Sequence, residues 1–308
     1  MRLISCLTTS AFCLAIASAL PGRSPPPFVG PPTRDTRLAQ GWVDEDAKYF
    51  RKYSIPTESN VQQANQFTDE PGNDDQLGHY DIRYFKGIVS YEERTATLSH
   101  MMRAYLNFFR ERGLETWIAH GTLLGWWWNG HILPWDWDVD TQVSGDTLAY
   151  MARHLNQTKH QYAGKDTEST REYLLDVNSM SWERVRGDGM NIIDARWIDT
   201  KNGLYIDITG LSETDPQTSP GIISCKNLHH YQMRDMYPMR ETTFEGVPTR
   251  VPYAYDKLLV EEYQEKALTL TEYEGHIWDS ETKTWIKKPA PSPNKQKEPV
   301  NWIRKLRR

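Results

Sequence analysis

Apolar residues recur at three- and four-residue spacing at Leu98, Met101, Met102, Tyr105, Leu106 and Phe109, the period of a helix buried along one face. Gly113 predicts where that helix stops. Trp117-Ile118-Ala119 reads as a short buried strand, and Leu123 to Trp128 as a second helix ended by Asn129-Gly130. The period then changes to two. Asp136, Asp138, Asp140 and Gln142 alternate with Trp137, Val139, Thr141 and Val143, which predicts a strand with one acidic and one apolar face. Residues 144–156 predict a helix with a Ser or Asp N-cap. Further strands are predicted at 173–177, 192–199 and 204–209. Asn202-Gly203 joins the last two as a two-residue hairpin. Helices and strands are mixed and one pair is antiparallel, so the pattern predicts an α/β (α+β) domain with a mixed sheet flanked by helices.

This pattern covers about 81–288 of the 308 residues, and the flanks differ from it. Residues 1–19 combine Arg2, an apolar run and Ala17-Ser18-Ala19, which predicts a secretory signal peptide or a retained signal anchor. Residues 20–80 read as a linker or stem, rich in Pro and Gly at first and polar after. Residues 289–308 read as a Pro-broken basic tail. The expected location is the secretory pathway, in the Golgi lumen or secreted, with Golgi membrane association if the anchor is kept. Cys6 and Cys13 lie in the leader and leave Cys225 alone, so an apolar core rather than a disulfide must hold the fold. Asn156-Gln157-Thr158 is a glycosylation sequon for a chain that enters that pathway. The formal net charge of -5 argues against a nucleic-acid partner.

The alternating acidic segment carries the chemistry. Asp136, Asp138 and Asp140 on one strand face repel one another without a cation, and hard divalent ions such as Mn²⁺ or Mg²⁺ prefer oxygen ligands. The bland alternative is a solvated acidic edge; apolar Trp137 and Val139 on the opposite face weigh against it. Upstream, Gly121 allows close backbone approach, and Thr122 reads as the N-cap of a helix whose N–H groups can cradle a phosphate.

The run from Trp117 through His120-Gly121-Thr122-Leu123-Leu124-Gly125 to Pro134-Trp135-Asp136-Trp137-Asp138-Val139-Asp140 resembles the signature of the LicD/fukutin family. Asn191 to Arg196, Tyr205 to Gly210, Cys225 to His230 and Thr243 to Pro248 resemble its fungal branch. The resemblance implies a nucleotidyltransferase-like fold and catalytic and metal-binding roles for Asp138, Asp140 and a third carboxylate, Asp207; Asp136 is a further metal ligand on the same-face argument alone. It also implies a sugar-nucleotide donor, GDP-mannose, and a glycan acceptor that receives mannose 1-phosphate. The family often has an unbroken acidic triplet where Trp137 stands here.

With Asn202 and Gly203 as the two turn residues, Ile198 faces Asp207 and Arg196 lies diagonal to it. Arg196 then reads either as a phosphate ligand or as a structural ion pair. His230 is a candidate for substrate phosphate, against a plain surface or core histidine; zinc at Cys225, His229 and His230 lacks a fourth ligand. Trp126, Trp127 and Trp128 read mainly as packing. Two rivals stand beside the phosphotransferase: a DxD-type glycosyltransferase, and a non-catalytic regulator of a partner transferase.

Overall fold

A computed structural model describes residues 74–289 apart from 165–169, 186–190 and 214. The leader, most of the stem and the basic tail lie outside the described residues. The first elements are α1 (Asp74–Leu77), α2 (Tyr91–Glu111), β1 (Thr116–Ile118), α3 (His120–Asn129), β2 (Val139–Ser144) and α4 (Gly145–His154). Then come β3 (Thr158–Ala163), β4 (Thr170–Val177), β5 (Ala195–Asp199), β6 (Tyr205–Glu213), β7 (Ile222–Ser224), β8 (His230–Gln232) and α5 (Met233–Met236). The chain continues through β9 (Arg240–Phe244), β10 (Val247–Val251) and α6 (Tyr255–Ala267). It closes with β11 (Glu272–Tyr273), β12 (His276–Asp279) and β13 (Thr284–Lys287).

The central sheet runs β1-β2-β6-β5-β4-β3, and β7 and β8 extend from β6. Among the described strands of this sheet, only β2 and β6 pair in parallel. The sheet is therefore mixed, as the sequence predicts. Helix α2 lays Leu98, Met101, Met102, Tyr105, Leu106 and Phe109 into the main core with Ile118, Val139, Trp197, Ile206 and Ile208. Ser90 caps it by accepting from Glu93 N–H, and Gly113, at φ +64°, follows its end.

Four expectations shift. The acidic strand starts only at Val139; Asp136 to Asp138 are the approach to it. Helix α3 begins at His120, so Gly121 and Thr122 lie in its first turn and Ala119 is an N-cap without a side-chain bond. The hairpin register moves by two: Arg196 faces Asp207 and Ile198 faces Tyr205. The connection has four residues, 200–203, because Asn202 is buried, donates to Thr97 Oγ1 and accepts from Leu204 N–H. Tertiary use of Asn202 overrides its local preference for a two-residue turn. Finally, the core starts before residue 81. Leu77 and Tyr80 are fully buried, and Tyr80 bridges Leu204.

Candidate metal centre

The parallel β2–β6 pair sets Asp140 beside Asp207 in register. Asp138, just before β2, completes a group of three carboxylates whose ligand oxygens lie within 4.8 Å of one another. They face one side while Val139, Ile206 and Ile208 anchor the other in the core, which follows from strand alternation. Asp207 is 4% exposed. Its burial raises the carboxyl above its usual range, the Arg196 guanidinium opposes that rise, and Asp138 adds to it. Converging anionic oxygens in a partly desolvated place are the donor set of a hard divalent ion, so the residues present fit Mn²⁺ or Mg²⁺.

Asp136 does not belong to the three. Its Oδ1 accepts the Asp138 N–H at 3.2 Å, which shapes the entry to β2. Burial, and then the neighbouring Asp138, push its carboxyl up to about 7. Glycine at 121 leaves room for it: a Cβ there would stand 3.1 Å from Asp136 Oδ2. Thr122 does not cap α3. Its Oγ1 accepts the Asp140 N–H at 2.9 Å, tying the first turn of the helix to the acidic strand. The first-turn N–H groups of α3 thus lie beside the carboxylates, an arrangement suited to a phosphate next to a metal.

Arg196 is wholly buried. Its Nε donates to Asp207 Oδ1 at 3.0 Å, and its guanidinium lies over the Tyr205 ring at 4.1 Å. This is the structural ion pair, not a substrate contact. His230 is exposed and turns Nδ1 to its own Leu228 carbonyl at 2.9 Å; it does not join the carboxylates. The tryptophans are packing residues. Trp126 donates to Thr242 Oγ1, and Trp128 donates to the Ala267 carbonyl and packs against Trp278 and Trp285.

The site holds side chains that sequence spacing alone does not bring in. His79 Nδ1 stands 3.6 Å from Asp138 Oδ1, although it lies in the stretch read as stem. Tyr263 of α6 places its hydroxyl near Gly121, 3.9 Å from where a Cβ would be. Beside it, Glu262 accepts from His120 Nδ1 at 2.7 Å. Burial would raise the Glu262 carboxyl, but the bond from His120 and the charges of His120 and His229 hold it below its usual range. No motif spacing links residues 79, 120, 229 and 262.

Residues 113–254 match the family described as LicD/FKTN/FKRP, nucleotidyltransferase domain. Two curated relatives come from Saccharomyces cerevisiae. Mannosyltransferase regulator 14 is 36% identical over 191 residues, which is 58% of this chain and 20% of the relative. Mannosyltransferase regulator 4 is 38% identical over 139 residues, 44% of this chain and 12% of the relative. The chain therefore spans a small part of either relative's length. The matched region runs from just after α2 to just before α6 and holds all three clustered carboxylates and the sheet that aligns them. Residues 113–254 are thus similar to the LicD/FKTN/FKRP nucleotidyltransferase domain, and the chain is similar over part of its length to two yeast proteins named as mannosyltransferase regulators.

Proposed function

We propose that the chain is a divalent-metal-dependent phosphotransferase of the secretory pathway that moves a sugar phosphate, mannose 1-phosphate from GDP-mannose, onto a glycan hydroxyl. The observation that carries this reading is the parallel β2–β6 register. It gathers Asp138, Asp140 and Asp207 beside the first turn of α3. In this reading the three carboxylates hold Mn²⁺ or Mg²⁺, which when bound supplies charge neutralisation on the donor pyrophosphate. The α3 first turn binds and orients a phosphate. The acceptor hydroxyl attacks the phosphorus that bears the sugar, the pyrophosphate P–O bond breaks, and GMP leaves. In this reading one of these carboxylates, Asp207, receives the acceptor proton.

The test is incubation of purified protein with GDP-mannose, Mn²⁺ and a mannose oligosaccharide, followed by mass analysis. The expected products are GMP and a glycan heavier by one mannosyl phosphate. GDP and a glycan gaining mannose alone would replace this reading with a glycosyltransferase.

A second reading rests on the printed names of the relatives, which are regulators. In it the domain binds metal and sugar nucleotide and controls a partner transferase. It predicts no transfer by the purified chain and increased product when a membrane fraction containing mannosylphosphate transferase is added.

A further inference from the structure

A second group of donors lies at the start of the phosphate-facing turn. His120, His229 and Glu262 each place a ligand atom within 4.8 Å of the others. They come from three separate segments: the start of α3, the loop before β8 and the second half of α6. The His120 and His229 rings stand 4.4 Å apart between centroids, and His120 Nδ1 is 2.7 Å from Glu262 Oε1.

The surroundings hold these donors in place. Cys225 N–H donates to the His229 carbonyl at 3.2 Å, closing the loop, and Cys225 Sγ lies 3.3 Å from His229 Nδ1. That contact engages Nδ1, the kind of outer support that orients a metal-bound imidazole. His120 adopts φ +51°, a left-handed conformation that a non-glycine residue takes at a cost. The strain falls on the residue that begins α3 and directs its ring to Glu262.

We propose that His120, His229 and Glu262 form a second metal site, of the two-imidazole, one-carboxylate type, which takes zinc-class transition ions and is separate from the three-carboxylate site. Imidazole suits Zn, Cu, Fe and Ni, whereas an all-carboxylate set suits Mg and Mn. The two groups thus sort different ions within one domain. Three protein ligands leave a fourth position open, the arrangement of zinc sites that bind water or substrate. Donor atoms around a tetrahedral zinc are roughly 3.3 Å apart, so His120 Nδ1 and Glu262 Oε1, now 2.7 Å apart, must part slightly to admit the ion. The ion takes the place of the His120 Nδ1 proton. Gln142 then readjusts, and its contacts with His120 Nε2 and Tyr231 Oη are long, both 3.4 Å.

The test titrates cobalt(II) into the full chain, stripped with a chelator and held in excess Mg²⁺. Visible d–d absorption of four- or five-coordinate cobalt is expected at one equivalent. It should persist in Asp140→Asn and weaken at least tenfold in both His229→Gln and Glu262→Gln, with folding checked by circular dichroism. No visible bands in the wild type would overturn the proposal. So would bands that survive His229→Gln and Glu262→Gln, or that vanish only in Asp140→Asn, since those assign the ion elsewhere. Glu262→Gln is the second variant because its side chain is 30% exposed and its loss leaves the core intact. The readout needs no donor or acceptor, so absence of phosphotransfer leaves it unaffected.

Discussion

Asp140 bears two duties, one for its carboxylate and one for its backbone. The carboxylate faces Asp138 and Asp207, while the N–H is fixed by Thr122. Asp140→Asn keeps the second and removes the first. Transfer is expected to fall at least about a hundredfold, and the rise in melting temperature on adding Mn²⁺ should disappear while the metal-free melt stays or improves. Activity assays beside thermal melts with and without Mn²⁺ check both halves. Arg196 is different because it acts within the fold. Arg196→Met leaves Asp207 buried without its cation, and breaking a buried pair this way costs about 3–5 kcal/mol. Urea denaturation should show that loss in metal-free protein and a smaller one with Mn²⁺, because the ion compensates the same carboxylate.

At the scale of elements, a side-chain bond from Thr122 ties the first turn of α3 to β2. Thr122→Val keeps the shape and removes the acceptor of the partly buried Asp140 N–H, a loss of about 1 kcal/mol. Thr122→Ser should restore most of it, and chemical denaturation of the three proteins decides the point. This bond also marks where sequence reading stops. The alternation around Val139 reveals which carboxylates share a face, because period two is a local property of strands. The apolar spacing of α2 reveals its buried side in the same way. The start of α3 is hidden, since Ala119 offers no capping side chain and Thr122 resembles a cap without being one. The hairpin register is hidden because Asn202 is used by Thr97, 105 residues away. His79, His229 and Glu262 are hidden for the same reason: each reaches the site from a distant segment, and no local period records that.

Across the whole molecule, two histidines set a pH limit on stability. His160 stacks on Trp197 with rings 5.6 Å apart, and His100 sits beside Tyr173 and Tyr162. Burial holds both imidazoles below their ordinary range, helped by Arg171 at His100 and Arg112 at His160. A histidine whose folded value is depressed binds its proton more readily when unfolded. Stability from these residues is therefore full above the unfolded value of about 6.5 and declines as pH falls below it. Melting temperature should drop between pH 7 and pH 5, and His160→Phe should make that drop shallower. Phenylalanine keeps the stack on Trp197 and gives up the bond between His160 Nε2 and Thr158 Oγ1, 2.7 Å. The unfolded chain carries one imidazole fewer to protonate, so the acid limb changes even if the neutral-pH melt is lower.

The parallel pairing of β2 with β6 has a kinetic meaning as well. Asp140 and Asp207 are 67 positions apart in the chain, and three strands of the sheet, β3, β4 and β5, are formed by the residues between them. Closing so long a loop is slow and late compared with forming a helix or hairpin. An ion that needs both carboxylates meets its full ligand set only after that closure, so it contributes little to the folding transition state. Its stabilisation then appears almost entirely as slower unfolding. Under the proposed metal binding the ion would act as a latch on the finished sheet, and its removal is expected to shorten the lifetime of the native state without changing how quickly that state is reached.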